Sequence, residues 1–127
     1  MTSFRTPLNR VRGLGSAKSG VSHWWQQRAT AAAGIPLVIF LITLTVSLVG
    51  ADQAKAAAWL SWPPVTIALG LSFFTLLKHM RLGMQVIIED YIHGEGAKVF
   101  VLLLNTIFTY LVGAALAYAL LKLSFGA

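Results

Sequence analysis

The stretch "ATAAAGIPLVIFLITLTVSLVGA", from Ala29 to Ala51, decides the fold class because it contains no charged side chain. About 20 apolar residues are enough for a helix to cross the hydrocarbon core of a bilayer. Pro36 lies in the first third of the stretch, and lipid-embedded helices tolerate such a proline. The alternative is a signal peptide cleaved near "AKA", residues 54–56, but the apolar run and the polar segment before it are both too long for one. The stretch therefore predicts a transmembrane helix.

The composition of the whole chain agrees with a membrane protein. Its 127 residues are 57% hydrophobic and 11% charged, and the mean hydropathy is +0.73. A soluble domain carries about 25% charged residues. Cysteine is absent, which excludes disulfides, thiolate zinc sites, iron–sulfur ligation by this chain and a cysteine nucleophile. We expect a single membrane-anchor domain over residues 1–127.

Two further apolar stretches follow the first. "PVTIALGLSFFTLLKHMRLGMQVII", residues 64–88, comes after "WLSWPP", whose tryptophans suit a membrane interface and whose prolines suit a helix start. "KVFVLLLNTIFTYLVGAALAYALLKL", residues 98–123, is the third. The sequence thus predicts an all-α membrane protein with three transmembrane helices, at residues 29–51, 64–88 and 98–123, which pack with a second anchor subunit.

The positive charge is concentrated in a tail, residues 1–28, that precedes the first span. The net charge is +6, and no acidic residue accompanies Arg5, Arg10, Arg12, Lys18 and Arg28. Positive residues beside a span stay on the inner side of the membrane. We therefore predict that the amino terminus is inside and the carboxyl terminus outside. The same placement favours contact between the tail and anionic lipid over nucleic-acid binding.

The second span carries ionisable residues at a depth where they are costly. Lys78, His79 and Arg81 lie in its second half, and each costs about 2.5–3.5 kcal/mol at the centre of a membrane helix. At about 100° per residue, His79, Gly83 and Asp90 share one face. An imidazole is a good axial ligand for haem iron, and Gly83 would leave clearance for a flat macrocycle. The alternative is a histidine bonded inside a helix bundle, with Gly83 as a packing contact.

The end of the second span suits a quinone. With the predicted orientation, Asp90 and Tyr91 lie at the inner interface, about 16 Å from His79 along the helix. The Tyr91 phenol can donate to a quinone carbonyl and Asp90 can support it; the alternative is an ordinary interfacial tyrosine beside a solvated acid. His23 and His93 lie too far from mid-membrane to reach the same iron. If the haem iron is six-coordinate, its second axial ligand must therefore come from another chain.

The pattern H-x3-G-M-Q-V-x3-D-Y, from His79 to Tyr91, closely resembles the succinate dehydrogenase membrane-anchor family in its D-type form. "RAT", Arg28–Thr30, also looks like that family, whereas the "RP-x-SPH" segment expected of the C-type anchor is absent. The resemblance implies that His79 is an axial ligand of haem b, shared with the C-type anchor. It implies that Tyr91 binds ubiquinone with Asp90 in support. Arg28 would lie near the haem propionates or the quinone pocket, and Arg81 is a further candidate propionate partner.

The resemblance also implies partners and a location. With the C-type anchor, the chain would attach the iron–sulfur and flavoprotein subunits of succinate dehydrogenase to the bacterial inner membrane, or to the mitochondrial inner membrane in a eukaryote. The chain itself would hold no flavin or iron–sulfur cluster and would not be catalytic alone. "GLGSAKSG", residues 13–20, is not a dinucleotide fingerprint. The alternatives are a quinol:fumarate reductase anchor and a non-redox membrane accessory or assembly subunit.

Overall fold

The computed structural model describes residues 6–11 and 20–125. Within them the chain forms helices α1 (Pro7–Val11), α2 (Gly20–Ser47), α3 (Gln53–Leu60), α4 (Pro63–Tyr91) and α5 (Glu95–Phe125). No strand occurs in this part of the chain. Three helices, α2, α4 and α5, are long and apolar enough to cross a membrane. The prediction of an all-α membrane protein with three spans is confirmed.

Helix α2 extends beyond the span predicted for it at its amino-terminal end. It begins at Gly20 instead of Ala29 and ends at Ser47. Residues 21–28 contain neither glycine nor proline, so the helix can begin before the apolar run, which starts at Ala29. The rings of Trp24 and Trp25 stack in this extension, with centroids 6.5 Å apart. The last part of the expected basic tail is therefore helical, while Arg5, Arg12 and Lys18 lie outside the described residues.

The connection between α2 and α4 contains a short helix, α3, that the hydropathy pattern did not predict. Gly50 turns the chain with a φ of 75°, a conformation that glycine adopts without strain. The Asp52 side chain then accepts a hydrogen bond from the Lys55 backbone N–H at 2.8 Å, which caps α3. Pro63 opens α4 directly after the Trp62 cap. At the other end of α4, residues 92–94 lead into α5.

Helix α4 is the centre of the fold, since it packs against α2 on one side and against α5 on the other. In the described part of the chain, α2 and α5 do not pack on each other. A small apolar core of Leu44, Val65 and Leu69 lies near the α3 end. The described residues of α5 include none that is buried. The structure therefore leaves most of its apolar surface for lipid or for other subunits.

Candidate functional site

His79 lies near the middle of α4 and faces α2. Its Nδ1 atom is 3.0 Å from Thr30 Oγ1, and the same Oγ1 is 2.8 Å from the Gln26 carbonyl and 3.1 Å from the Gln27 carbonyl. Other threonines of the spans donate their hydroxyl proton to the carbonyl four residues earlier: Thr43, Thr45, Thr106 and Thr109. If Thr30 does the same, its Oγ1 accepts a hydrogen bond from His79 Nδ1–H.

This contact determines what the imidazole of His79 can do. With the proton on Nδ1, a neutral ring carries its lone pair on Nε2. Nε2 has no hydrogen-bond partner among the described residues. The bundle hydrogen bond of the alternative interpretation is thus present, but it accounts for only one of the two ring nitrogens. A ring held by Nδ1–H with a free Nε2 is the arrangement typical of a metal-bound histidine.

An open apolar groove adjoins His79 between α2 and α4. Its volume is about 430 Å³. Thr30, Ala31 and Gly34 line it from α2 and Leu76 from α4. A Cβ built on Gly34 would meet nothing within 4 Å, so the groove is free at this point. Its walls offer the apolar surface that a flat macrocycle needs.

Gly83 lies one turn beyond His79, where α2 and α4 approach closely. A Cβ at this position would lie 3.3 Å from Gln27 Nε2, closer than most such contacts. Gly83 therefore faces the end of the Gln27 side chain of α2, and it also lines a cavity between the two helices. Whether it also gives clearance to a haem stays a prediction.

A second cavity, of about 650 Å³, lies between the amino-terminal turns of α2 and the last turns of α4. Arg28 lines it and stacks over Trp24, with 4.1 Å from Arg28 Cζ to the ring centroid. Two buried atoms lack a hydrogen-bond partner there, His23 Nε2 and Gln27 Oε1. Glu89 lines the α4 side. This cavity combines a cation with unpaired polar atoms, so it suits a polar or anionic group.

Asp90 and Tyr91 occupy the last turn of α4 and are exposed, Tyr91 by 77%. Neither forms a hydrogen bond or an ion pair with another described residue through its side chain. Tyr91 lies about 200° around the helix from Glu89, so it does not join the cavity that holds Arg28. The structure brings His79 and Arg28 to the α2 side of α4 and leaves Tyr91 on a different face. His93 is exposed in the link to α5.

Arg81 lies on the other side of α4. Its Cζ atom is 5.7 Å from the centroid of the Tyr110 ring of α5, and Asn105 Nδ2 donates to its carbonyl at 3.1 Å. Arg81 is about 200° around the helix from His79. Arg81 and Lys78 face α5, whereas His79 faces α2. This geometry does not test whether Arg81 binds a haem propionate, so that role stays a prediction.

Comparison with known families decides the identity. Residues 2–113 match the family described as "Succinate dehydrogenase/Fumarate reductase transmembrane subunit". The chain belongs to this family. The resemblance seen in the motif from His79 to Tyr91 is thereby confirmed.

Curated relatives of this transmembrane protein have consistent names. A "Succinate dehydrogenase hydrophobic membrane anchor subunit" of Paracoccus denitrificans is 29% identical over 124 residues, covering 98% of this chain and 95% of the relative. One from Rickettsia bellii is 38% identical, covering 70% of this chain and 71% of the relative. A "Succinate dehydrogenase membrane anchor subunit" of Reclinomonas americana is 33% identical, covering 65% and 71%. No solved structure matches the chain.

Membership in this anchor family agrees with the sparse burial seen in the fold. A succinate dehydrogenase membrane anchor is a multi-pass inner-membrane protein that partners with catalytic subunits, so its exposed faces have lipid and other chains to cover them. The predicted membrane location is confirmed by the family and by the three apolar helices.

The sequence pattern did not single out Thr30, Gln27 or Trp24 as members of a site. A signal was present for two of them, because His23, Trp24 and Gln27 share a helical face at spacings of three and four residues. The prediction missed it because the apolar run, which set the expected start of the first span, begins only at residue 29. Thr30 had no such signal, since its role depends on the register of α2 against α4.

Proposed function

We propose that this anchor provides one axial ligand of a haem b and part of the ubiquinone site of a succinate:ubiquinone oxidoreductase. Together with the C-type anchor it attaches the iron–sulfur and flavoprotein subunits to the inner membrane. The observation that carries the proposal is the His79 geometry, in which Nδ1 is bonded to Thr30 and Nε2 is free.

The haem position combines His79 with the groove beside it. His79 Nε2 would hold the iron, Thr30 would fix the ring, and Ala31, Gly34 and Leu76 would contact the macrocycle. A bound haem supplies a one-electron carrier whose potential depends on its axial ligands and their hydrogen bonds. The chain's own part is to keep the imidazole in one tautomer and orientation. It also keeps water from one face of the group.

The second axial ligand would come from the C-type anchor. His93 is about 20 Å from His79 along the axis of α4. His23 lies in the cavity beside the amino-terminal turns of α2. Neither can share the iron with His79. Arg28 lines that same cavity, which makes it a candidate for the haem propionates or for the quinone pocket.

The quinone position would be completed by other subunits. The Tyr91 hydroxyl donates a hydrogen bond to a quinone carbonyl, and Asp90 orients that hydroxyl or supplies protons for quinone reduction. Their exposure in this chain supports a site shared with neighbouring chains. With the amino terminus inside, the last turn of α4 lies at the inner interface, next to the attached catalytic subunits. Ubiquinone can reach this depth from the bilayer.

A quinol:fumarate reductase anchor is the second candidate, because the family description includes fumarate reductase. The two candidates use the same haem and quinone positions. They differ in the direction of electron flow, which depends on the redox centres of the whole complex and on its quinone pool.

The decisive experiment records the optical spectrum of the intact complex purified in mild detergent. We expect a b-type haem spectrum in the wild type and its loss in His79→Ala, because the only bond from this chain to the iron is removed. His93→Ala is the matched control and should keep full haem content, since His93 is exposed in the α4–α5 link. Full haem content in His79→Ala would rule out the ligand role.

The quinone proposal is tested by separating two activities of the complex. Tyr91→Phe should lower ubiquinone reduction about tenfold, the effect of losing one hydrogen bond of about 1.4 kcal/mol. Succinate oxidation by a soluble artificial acceptor should stay nearly unchanged. Tyr118→Phe, at an exposed position of α5, is the control and should change neither activity. Equal loss of both activities in Tyr91→Phe would argue against a quinone role.

A further inference from the structure

Lys78 and Arg81 are two cations near the middle of a membrane span without an acidic residue at their depth. Lys78 is about 20 Å from Tyr91 and about 22 Å from Pro63 along α4. The chain has only four acidic residues. Asp52 precedes α3, and the others, Glu89, Asp90 and Glu95, lie at the far end of α4 or the start of α5. None of these four side-chain carboxylates forms an ion pair with either cation in the described part of the chain.

The contacts within the chain satisfy little of these two side chains. The Arg81 guanidinium has the Tyr110 ring as its partner, at 5.7 Å. Within residues 6–11 and 20–125, neither the guanidinium nor the Lys78 ammonium forms a hydrogen bond or an ion pair. A guanidinium carries five N–H donors and an ammonium three. Such groups in a bilayer core are costly unless they are paired or reach water. A hydrogen-bond acceptor from outside this chain would satisfy them.

Both cations line a groove between α4 and α5, which we call the Lys78–Arg81 groove. Its volume is about 600 Å³. The α5 wall includes two exposed small residues, Ala114 and Ala117, whereas Gly113 packs against Leu77 of α4. Small residues let the backbone of another helix approach closely, as at helix–helix contacts in membranes. The groove thus joins a largely apolar surface to two unpaired positive charges.

We propose that the Lys78–Arg81 groove seats a transmembrane helix of another subunit of the complex, and that a carboxylate of that helix pairs with Lys78 and Arg81. The carboxylate offsets one of the two positive charges and accepts hydrogen bonds from both side chains, and the small residues of α5 accommodate the backbone of the incoming helix. The groove is then a subunit interface that specifies its partner by charge.

The depth of the two cations disfavours a lipid phosphate as the acceptor. The hydrocarbon core is about 30 Å thick, so head groups begin about 15 Å from the midplane. A haem propionate is disfavoured by direction, because His79 faces α2 while Arg81 contacts Tyr110 of α5. The groove beside His79 and the Lys78–Arg81 groove share no lining residue. The inference therefore does not rest on the proposed haem or quinone roles.

Site-directed crosslinking in the purified complex identifies the occupant. The chain has no cysteine, so one introduced thiol can carry a photoreactive probe. We expect the probe at Ala117→Cys to crosslink a transmembrane segment of another subunit that contains Asp or Glu. Ala115→Cys is the matched control: it is exposed, lies about 200° around the helix from Ala117, and should give a severalfold lower yield with that segment. Crosslinks to lipid only, equal yields, or a segment without an acid would overturn the proposal.

Charge removal tests the pairing itself. The double variant Lys78→Gln/Arg81→Gln should release the partner chain about tenfold faster in a detergent challenge, because it leaves the partner's carboxylate buried and unpaired. Lys122→Gln, in the last turn of α5, is the control and should leave this rate unchanged. An unchanged rate in the double variant would overturn the proposal. So would intact assembly with a shifted haem potential, which would indicate a propionate instead.

A charge exchange covers the case in which the double variant fails to accumulate. Once crosslinking has identified the acidic residue, it is replaced by lysine and combined with Lys78→Glu/Arg81→Glu. We expect the exchanged pair to assemble where each half alone does not. Failure of the exchange to restore any assembly would contradict the charge pairing.

Discussion

The two sides of α4 use polar side chains at the same depth in different ways. On the α2 side, His79 bonds to Thr30 and keeps one ring nitrogen free. On the α5 side, Arg81 has only the Tyr110 ring, and Lys78 has no polar partner among the described residues. One side offers a lone pair, and the other offers only donors and positive charge. One helix can therefore serve a metal group on one face and an anionic partner on the other.

Polar residues in a span can therefore be interpreted by the partners that their side chains still lack. A histidine with one nitrogen bonded and one free lacks only a hydrogen-bond donor or a metal ion for its lone pair. Two cations without a carboxylate leave two positive charges unpaired, and another chain, a bound group or water must stabilise them. The comparison can be tested on each side of α4 separately.

The largest effect is expected at the close approach between α2 and α4. Gly83→Leu should destabilise the fold by about 2 kcal/mol, because the added Cβ lies 3.3 Å from Gln27 Nε2 and displaces this side chain within the cavity that both residues line; overpacking costs about 1–3 kcal/mol. Unfolding of the complex, measured in denaturing detergent, reports this value. Gly96→Leu is the control, since a Cβ there meets nothing within 4 Å. Equal values for both variants would mean that α2 and α4 do not approach at Gly83.

A smaller effect is expected when the Thr30 acceptor is removed. Thr30→Val keeps the shape but leaves His79 Nδ1–H without its partner, so the neutral ring redistributes between tautomers. Haem affinity should fall by about tenfold, at the low end for loss of a bond that orients a metal ligand. Nitrogen NMR of labelled histidine reports the tautomer without any haem. Thr43→Val, which removes a bond within α2 only, should leave the His79 signals unchanged, and unchanged signals in Thr30→Val would exclude the positioning role.

Most features that depend on nearby residues in the sequence could be predicted, whereas contacts between separate helices could not. Hydropathy alone located all three spans, because lipid selects for runs of apolar residues. Helical periodicity placed His79 and Gly83 on one face, and both do face α2. Helix α3 and its Asp52 cap were not predicted, because α3 is too short to give a hydropathy signal. The contact between His79 and Thr30 was not readable, because the register between two helices depends on packing along their whole length.

The same limit applies on the α5 side, where periodicity separates Arg81 from His79 but does not say which helix lies opposite. The structure supplies that helix through Asn105 of α5, whose Nδ2 donates to the Arg81 carbonyl at 3.1 Å. Asn105 is a polar residue inside an apolar span, but the sequence does not indicate its partner.

The smallest effect is expected for the bond from Asn105 to α4. Asn105→Leu should cost about 0.6 kcal/mol, the average for polar contacts between membrane helices, because polar groups also find partners in the unfolded reference state. The measurement is again unfolding in denaturing detergent, with Thr106→Val as the control because Thr106 bonds only within α5. A loss several times larger would mean that Asn105 holds the Arg81 side chain in place as well as the backbone. In that case Asn105→Leu should also reproduce the faster partner release of Lys78→Gln/Arg81→Gln, which a bond that merely joins α4 to α5 would not.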